Sequence, residues 1–396
     1  MEKLVAAGAD ANAKHLGTQS SAFWIAAGDG YITRFLFENG LRQDSQTEGG
    51  HTPLFGIISG QNDDISLPEA FITAGADVNH TDRALRTPMH YAANRALAEI
   101  LHKHGANLFA KDKYGMTPLH MACKIGRLDA IQFLLSKGAM VDEAAMAGWT
   151  PLLYSTCNEE DDFEGFPFPP NPYTGTSRLE VAKILLEQGA NIRAATTDGQ
   201  TVLHGAARLS DTELVRYFVE HGANVRAVNA NAETALHNAA RTANVEAVRY
   251  LIDQGADVHA VTTEGETILH AACSRANRTT LTFISNILEI ILDNGIEVNA
   301  KDVTGSTSLH LLYEQFYRYQ SCNTEAFNLL LRRGADRLVA NNDGEKVMEL
   351  IEKDEKWAWD DEGFLKAKQS PYEHTHRRGG KGRGGWGRGR GGMRES

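Results

Sequence analysis

The stretch from Asp112 to Gly138 reads DKYGMTPLHMACKIGRLDAIQFLLSKG. Thr117 and Pro118 are residue types that favour the N-cap and the first turn of a helix. After a break at Gly126, apolar residues recur at helical spacing, and Gly138 suits the left-handed position beyond a helix end. The stretch therefore predicts two helices joined by a turn, with an apolar face that needs a neighbour of the same kind.

Both ends of this unit recur along the chain. Thr117 and Thr150 are 33 residues apart, and so are Thr201 and Thr234. The Thr-x-x-His opening places histidines at His90, His120, His204, His237, His270 and His310, and the Gly-Ala ending recurs at Gly75, Gly105, Gly189, Gly222, Gly255 and Gly334. A fixed period with two matched anchors indicates a repeat array.

This pattern resembles the ankyrin-repeat family over roughly residues 1–350. The resemblance implies an all-α ankyrin-repeat solenoid of about nine or ten helix–turn–helix repeats with short projecting loops, two of the repeats being partial. The family serves many functions with one architecture, so the resemblance is specific for fold and leaves function open.

We expect the repeat array to occupy residues 1–353, a cap or linker 354–373, and a disordered Gly/Arg tail 374–396. The chain starts in the middle of a repeat, which predicts either an incomplete gene product or an open N-terminal end. The repeat that opens at Thr150 carries an insertion over 158–177, rich in acids and aromatics. It is either a solvated loop or a partner contact. Trp357 and Trp359 either dock on the cap or lie free.

The charge distribution and the cysteines indicate the cellular compartment of the chain. The chain has a net charge of −11, yet residues 374–396 hold seven basic residues and one acid, so the remainder carries −17. The four cysteines are scattered and form no CxxC pair, which favours a reducing compartment, cytoplasmic or nuclear. No apolar run approaches the roughly 18 residues of a membrane helix, so we expect no membrane partner.

The histidines and threonines of the repeats are not expected to form a metal or catalytic site. One His per repeat separates successive rings by a repeat width, whereas metal ligation needs several atoms within ~2 Å of one ion. In the family that the chain resembles, this His bonds to backbone in the loops. The sequence also lacks GxSxG, HExxH and a phosphate-binding loop. We therefore predict no enzyme, no cofactor and no metal.

A protein-binding surface is the favoured hypothesis. Tyr114 and Trp149 lie on adjacent predicted loop tips, and aromatic residues often anchor interfaces. Lys124, Arg208 and Arg241 each follow a motif His by four residues. They could form a groove for an acidic peptide, or they could be ordinary solvated surface. This predicts a monomeric scaffold or adaptor for a protein partner, whose extension Arg275–Thr282 could add a second contact.

The tail supports a competing hypothesis. Its three Arg-Gly-Gly triplets resemble the RGG boxes of RNA-binding proteins, in which arginines contact phosphates and aromatic rings stack on bases. The predicted nucleic-acid-binding residues are Arg378, Arg383, Trp386, Arg388 and Arg390. The tail could instead aid solubility, be methylated, or fold back on Glu159–Asp162. The protein would then be an RNA-associated adaptor; a third alternative is an ankyrin fragment of a larger regulatory protein.

Overall fold

The computed structural model describes residues 10, 12, 30–40, 42, 44, 46–47, 49–59, 65–157, 176–274, 284–319, 324–353, 357–360 and 362–367. In chain order its elements are α1 (Gly30–Glu38), α2 (Pro53–Ser59), α3 (Ser66–Thr73), a 3₁₀ turn (Pro88–Tyr91), α4 (Arg95–Lys103), α5 (Pro118–Ile125), α6 (Leu128–Ser136), a 3₁₀ turn (Met146–Gly148), α7 (Pro151–Tyr154), α8 (Thr176–Glu187), α9 (Val202–Arg208), α10 (Thr212–Glu220), α11 (Ala235–Arg241), α12 (Val245–Asp253), α13 (Ile268–Ser274), α14 (Ile284–Asp293), α15 (Ser308–Tyr319), α16 (Thr324–Arg332), α17 (Val347–Lys353), β1 (Trp357–Trp359) and β2 (Leu365–Ala367).

The helices form two stacked rows. The first helices of the repeats pack on one another in an inner row (α2, the Pro88–Tyr91 turn, α5, α7, α9, α11, α13, α15, α17), and the second helices pack in an outer row. Small residues such as Ala206 and Ala239 are fully buried in the inner row and allow close helix approach. In the outer helix α10, Leu214 and Phe218 are fully buried at helical spacing. Each such side chain contributes about 1.5–3 kcal/mol by leaving water.

Two irregular repeats show how local sequence changes the inner row. The inner element of the repeat that opens at Thr87 is a 3₁₀ turn of four residues, and Asn94 then caps α4 by accepting the Leu97 N–H at 2.9 Å. The repeat is therefore short in its inner element, and α4 begins directly after Asn94. In the repeat that opens at Thr307, the inner helix α15 is 12 residues long, and its second half is the aromatic segment Tyr313–Tyr319.

The C-terminal end is closed by an antiparallel hairpin that the all-α prediction missed. β1 pairs with β2, with Trp357 opposite Ala367. β2 contacts α16, where the Asn328 side chain donates to the Leu365 carbonyl at 3.1 Å and accepts its N–H at 2.8 Å. Trp359 is half-buried against Phe327. Of the two alternatives for the tryptophans, docking is the one observed.

The predicted array of helix pairs is thus confirmed over the described residues. None of the helices described is both long and apolar enough to cross a bilayer. The insertion lies outside the described residues over 158–175, and α8 begins at Thr176. The N-terminal partial repeat, apart from residues 10 and 12, also lies outside them.

Candidate functional site

The motif histidines join each repeat to the next. In His120, Nδ1 accepts the Thr117 N–H at 3.0 Å and Nε2 donates to the Glu143 carbonyl of the following turn at 2.9 Å. His204 and His237 make the same bonds, with Nε2 lying 3.0 Å and 3.4 Å from the carbonyls of Glu233 and Glu266. Because Nδ1 accepts a hydrogen bond, the rings are neutral with hydrogen on Nε2. The histidines are structural, as the resemblance implied.

Burial reinforces this neutral state. It lowers the pKa of His120 and of His237 to about 4, and it also lowers the pKa of His90, His204 and His270. A charged imidazole in this position would lack water and would lose the Nδ1 acceptor. No group of three or more potential metal ligands occurs within the part of the chain that the structure describes.

The projecting turns are closed by side chains that bond to their own backbone. Asp112 Oδ1 accepts the N–H groups of Tyr114 and Met116, at 2.9 Å and 2.8 Å. The equivalent position in the next turn is Ala145, which has no side-chain acceptor. That turn instead contains the 3₁₀ turn Met146–Gly148, with Ala147 at φ 57°. Its backbone is closed as in the Asp112 turn, with the Ala145 N–H donating to the Trp149 carbonyl at 2.9 Å.

A cleft lies directly below this turn. The inner helix α7 is only four residues long, whereas α5 has eight and α9 has seven. A cavity of about 270 Å³ lies beside α7, between α5 and α9. Its lining consists of Lys124, Trp149, Leu153, Tyr154, Thr156, Cys157, Asp198, Gln200, Thr201, Gly205 and Arg208. All of these belong to inner helices or turns, so the cleft faces the inner side of the array.

The structure brings three of the predicted partner-binding residues to this cleft. Lys124 lies on one wall, Arg208 on the other, and Trp149 lines the space between them. The ring of Trp149 is half-buried, 5.2 Å from the ring of Tyr154. Tyr114 is half-buried beside the same small apolar cluster, with the Lys113 ammonium 4.7 Å from its ring. The two aromatics are therefore less exposed than loop-tip positions suggested.

Arg241, the third basic residue of the predicted groove, lies apart from the cleft. Its guanidinium donates to Glu233 Oε1 at 2.8 Å and to Glu266 Oε2 at 3.0 Å. Both carboxylates belong to projecting turns, one in its own repeat and one in the next. Arg241 lowers the pKa of Glu233 despite the desolvation of that carboxyl. The charge of Arg241 is therefore matched by two carboxylates of the array, and its place in a basic groove for a partner stays a prediction.

Sequence reasoning missed two features of the repeats. Tyr154, Asp198 and Gln200 belong to the cleft, and the signal that could have found them was the insertion directly after Cys157. A second cavity of about 370 Å³ lies beside Phe109 and Met140, whose side chains are 52% and 62% exposed. Phe109 follows Gly105 by four residues, and Met140 follows Gly138 by two. Most other repeats have polar residues at these positions, so only a comparison between repeats shows that Phe109 and Met140 are unusual.

The remaining predicted sites lie outside the described residues. These are the tail residues Arg378, Arg383, Trp386, Arg388 and Arg390, and the extension Arg275–Thr282, apart from its helical neighbour Ser274.

Comparison with known proteins agrees with the geometry. A family model described as ankyrin repeats (3 copies) matches residues 55–145, 89–164 and 174–262, and a single ankyrin-repeat model matches 264–303. Inversin of Canis lupus familiaris is 30% identical over 205 residues, which cover 50% of this chain and 17% of inversin. The B-cell lymphoma 3 protein homolog of Mus musculus is 29% identical over 182 residues, 43% of this chain and 36% of that protein.

The chain thus spans less than a fifth of the length of inversin. Among solved structures, the human ASB11 ankyrin repeat domain is 22% identical, with a TM-score of 0.49. The match covers 63% of this chain and 99% of that domain.

Proposed function

Because this chain belongs to the ankyrin-repeat family, whose repeats generally mediate protein–protein interaction, we propose that it is a non-catalytic scaffold or adaptor that binds a protein partner on the inner face of its array. The observation that carries the proposal is the cleft at α7, where Lys124, Trp149 and Arg208 line one cavity. Aromatic and arginine side chains around a recess are the usual anchors of a protein interface.

We assign Tyr114, Trp149, Lys124 and Arg208 to partner binding, and Arg241 to the support of the same face. Tyr114 and Trp149 lie in two successive projecting turns. Both pack against one small apolar cluster that consists of Met116, Met121, Ala145, Tyr154 and Cys157. Arg241 orders the turns that carry Glu233 and Glu266. The partner would contact the first group directly and would depend on the second only through the shape of the turns.

Photocrosslinking tests this assignment. A photoreactive phenylalanine analogue at Tyr114 should capture a partner from the protein's own cells. The same group at Arg249, which is exposed on the outer helix α12, should capture much less. Equal capture at both positions would contradict binding on the inner face. Charge reversal of Arg241 is a poor probe here, because it also breaks two ion pairs of the array.

The working unit in this proposal is a monomer in the cytoplasm or nucleus. Cys123, Cys157 and Cys273 are buried and form no disulfide within the described part of the chain, as suits a reducing compartment. Sedimentation equilibrium of the full chain tests the oligomeric state.

A second function concerns the tail. Three Arg-Gly-Gly triplets and Trp386 in an otherwise acidic chain favour binding of single-stranded RNA through Arg378, Arg383, Trp386, Arg388 and Arg390. Neutralising several phosphates makes affinity fall with salt, by about 0.7 in log–log slope for each contact on a single strand. A labelled single-stranded RNA should bind the full chain with that salt dependence and should not bind a chain that ends at Glu373. Equal binding by both chains would remove the tail from the function.

A further inference from the structure

Several repeats are joined to the next by a polar side chain that lies four residues after the glycine ending the outer helix. Asn79 donates from Nδ2 to the Gly105 carbonyl at 3.0 Å, and its Oδ1 accepts the Asn107 N–H at 2.8 Å. Asn299 makes the same pair of bonds to the following repeat, at 3.0 Å and 2.8 Å. One of the two bonds is made at three further junctions, by Asp142, Arg193 and Arg226. A carboxamide can thus satisfy one carbonyl and one N–H of the neighbouring repeat at once.

The junction that follows Phe109, called the Phe109 junction below, lacks this bridge. Phe109 occupies the position of Asn79, and its ring has neither a conventional hydrogen-bond donor nor an acceptor. The groups that correspond to those bridged by Asn79 are the Gly138 carbonyl and the Met140 N–H. Among the residues that the structure describes, no side chain bonds to either group. A carbonyl and an N–H are therefore left open here in the geometry that a carboxamide fits elsewhere in the array.

An apolar recess lies at the same junction. A cavity of about 370 Å³ is lined by Phe109, Gly138 and Met140, among others, and both large side chains are more than half exposed. The two charged residues that line it, Lys111 and Glu143, form an ion pair at 2.5 Å and compensate each other. The recess therefore suits an uncharged group that has both a donor and an acceptor and is accompanied by apolar surface.

The His259 junction shows a different combination. His259 occupies the same position as Phe109, and in the described part of the chain its side chain makes no bond to the following repeat. The residue that corresponds to Met140 is there the exposed Glu297. The missing bridge at His259 is thus accompanied by polar side chains that water can solvate, whereas at Phe109 it is accompanied by exposed apolar surface.

We propose that the Phe109 junction is a docking site for a partner protein, and that it takes an asparagine or glutamine side chain whose neighbour in the partner is aliphatic or aromatic. The carboxamide donates to the Gly138 carbonyl and accepts the Met140 N–H, as Asn79 does at the preceding junction. A carboxylate has no hydrogen to donate to the carbonyl, and an ammonium has no lone pair to accept the N–H. The apolar neighbour covers Phe109 and Met140 and removes their surface from water.

This site lies apart from the cleft at α7. Apart from Thr117, its lining residues belong to the segments that follow the outer helices α4 and α6. It adds a second contact region to the array and does not depend on binding at the inner face.

Peptide selection with depletion tests the proposal while the partner is unidentified. Random peptides displayed on phage are first depleted on the full chain carrying Phe109→Asn and are then selected on the wild-type full chain. Phe109→Asn supplies a carboxamide from the chain itself and removes one apolar wall, so depletion leaves peptides that need the open junction. Circular dichroism should show the same helix content for both chains.

The matched control is Leu338→Asn. Leu338 lies at the position of Phe109 in the last repeat with a Gly-Ala anchor, and it is 56% exposed. No further Gly-Ala anchor follows it, so this variant makes an apolar-to-asparagine change without a junction to bridge.

The surviving peptides should share an asparagine or glutamine beside an aliphatic or aromatic residue. Affinity is measured by fluorescence anisotropy of labelled peptides. Changing the peptide's carboxamide to the acid should weaken binding by about tenfold or more, because one hydrogen bond is lost and a carboxylate faces a carbonyl. Leu338→Asn should change affinity less than about twofold. The acid form of the peptide tests the contact on an unaltered protein, so a misfolded variant cannot mimic the result.

Three outcomes would overturn the inference. Survival of no peptide would show that the junction is not a docking site. Surviving peptides without a carboxamide, or with an acid form that binds equally well, would remove the carboxamide from recognition. An equal loss of affinity on Leu338→Asn would place the contact at the last repeat. None of these outcomes bears on the inner face, which the crosslinking at Tyr114 tests separately.

Discussion

Mild acid should loosen the array through its buried histidines. His120 and His237 are neutral in the folded chain and have a pKa of about 4, because burial disfavours the imidazolium. In the unfolded chain a histidine has a pKa near 6.5. Between these two values the unfolded state binds more protons than the folded state, so the free energy of unfolding falls as the pH falls. The contribution of these rings is complete above about pH 6.5 and is lost toward about pH 4.

The size of the effect follows from the proton linkage. Each such histidine changes the free energy of unfolding by about 1.4 kcal/mol per pH unit inside this window. At about pH 5, each of the two rings has cost roughly 2 kcal/mol, or about 4 kcal/mol together. The pKa values of His90, His204 and His270 are lowered in the same direction and add to the loss. Most carboxylates stay ionised above about pH 5, so they contribute little there.

Urea unfolding followed by circular dichroism measures this loss. The midpoint should be constant between about pH 7.5 and 8.5 and should fall by at least ~1 M at about pH 5. His237→Gln removes one titrating ring, so its deficit relative to the wild-type chain should shrink as the pH falls. Leu269→Ala is the matched control, because it removes a fully buried side chain in α13 without a titrating group. If the deficits of both variants stay constant with pH, the linkage argument is wrong.

Three further predictions concern single side chains. Leu85 is exposed and has φ 61°, so Leu85→Gly should raise stability by about 0.5–1 kcal/mol in urea unfolding, whereas Arg83→Gly in the same turn should lower it. A Cβ at Gly205 would lie 2.2 Å from Thr156 Oγ1. Gly205→Ala should therefore lower the thermal midpoint, because overpacking costs about 1–3 kcal/mol and exceeds the gain in helix propensity. A higher midpoint would refute the contact. Arg241→Gln leaves the half-buried carboxylates of Glu233 and Glu266 unmatched and should lower the free energy of unfolding by about 1–3 kcal/mol. Changing both glutamates to glutamine in that variant should recover part of the loss. No recovery would show that the loss came from packing.

The regular part of the fold could be predicted because each repeat states its own boundaries. Thr201, His204 and Gly222 mark the start, the link and the end of one unit, and the same marks return 33 residues later. Local capping, helical spacing and burial all agree in these repeats, so no long-range information was needed.

The hairpin and the cleft depended on contacts that a single repeat does not contain. Strands of three residues have too little periodicity to be seen, and Trp357–Trp359 is ordered by its packing on α16 and α17. The insertion marked the place of the cleft, but the early end of α7 at Tyr154 did not follow from composition. The Arg241 ion pairs could have been found, because Glu233 and Glu266 occupy matching positions in the 33-residue register.

The contact at α7 between the two neighbouring repeats, called the α7 joint below, has a mechanical consequence. Leu153 replaces the histidine that bonds six other repeats to the following turn, and α7, like the 3₁₀ turn Pro88–Tyr91, is only four residues long. In a linear array, force passes only through neighbouring units. We expect a chain pulled from its two ends in an optical trap to yield first at this joint, with segments 65–157 and 176–353 extending as separate steps. A partner that contacts both Lys124 and Arg208 would connect the repeats on either side of α7. Its binding should therefore raise the force at which these repeats separate.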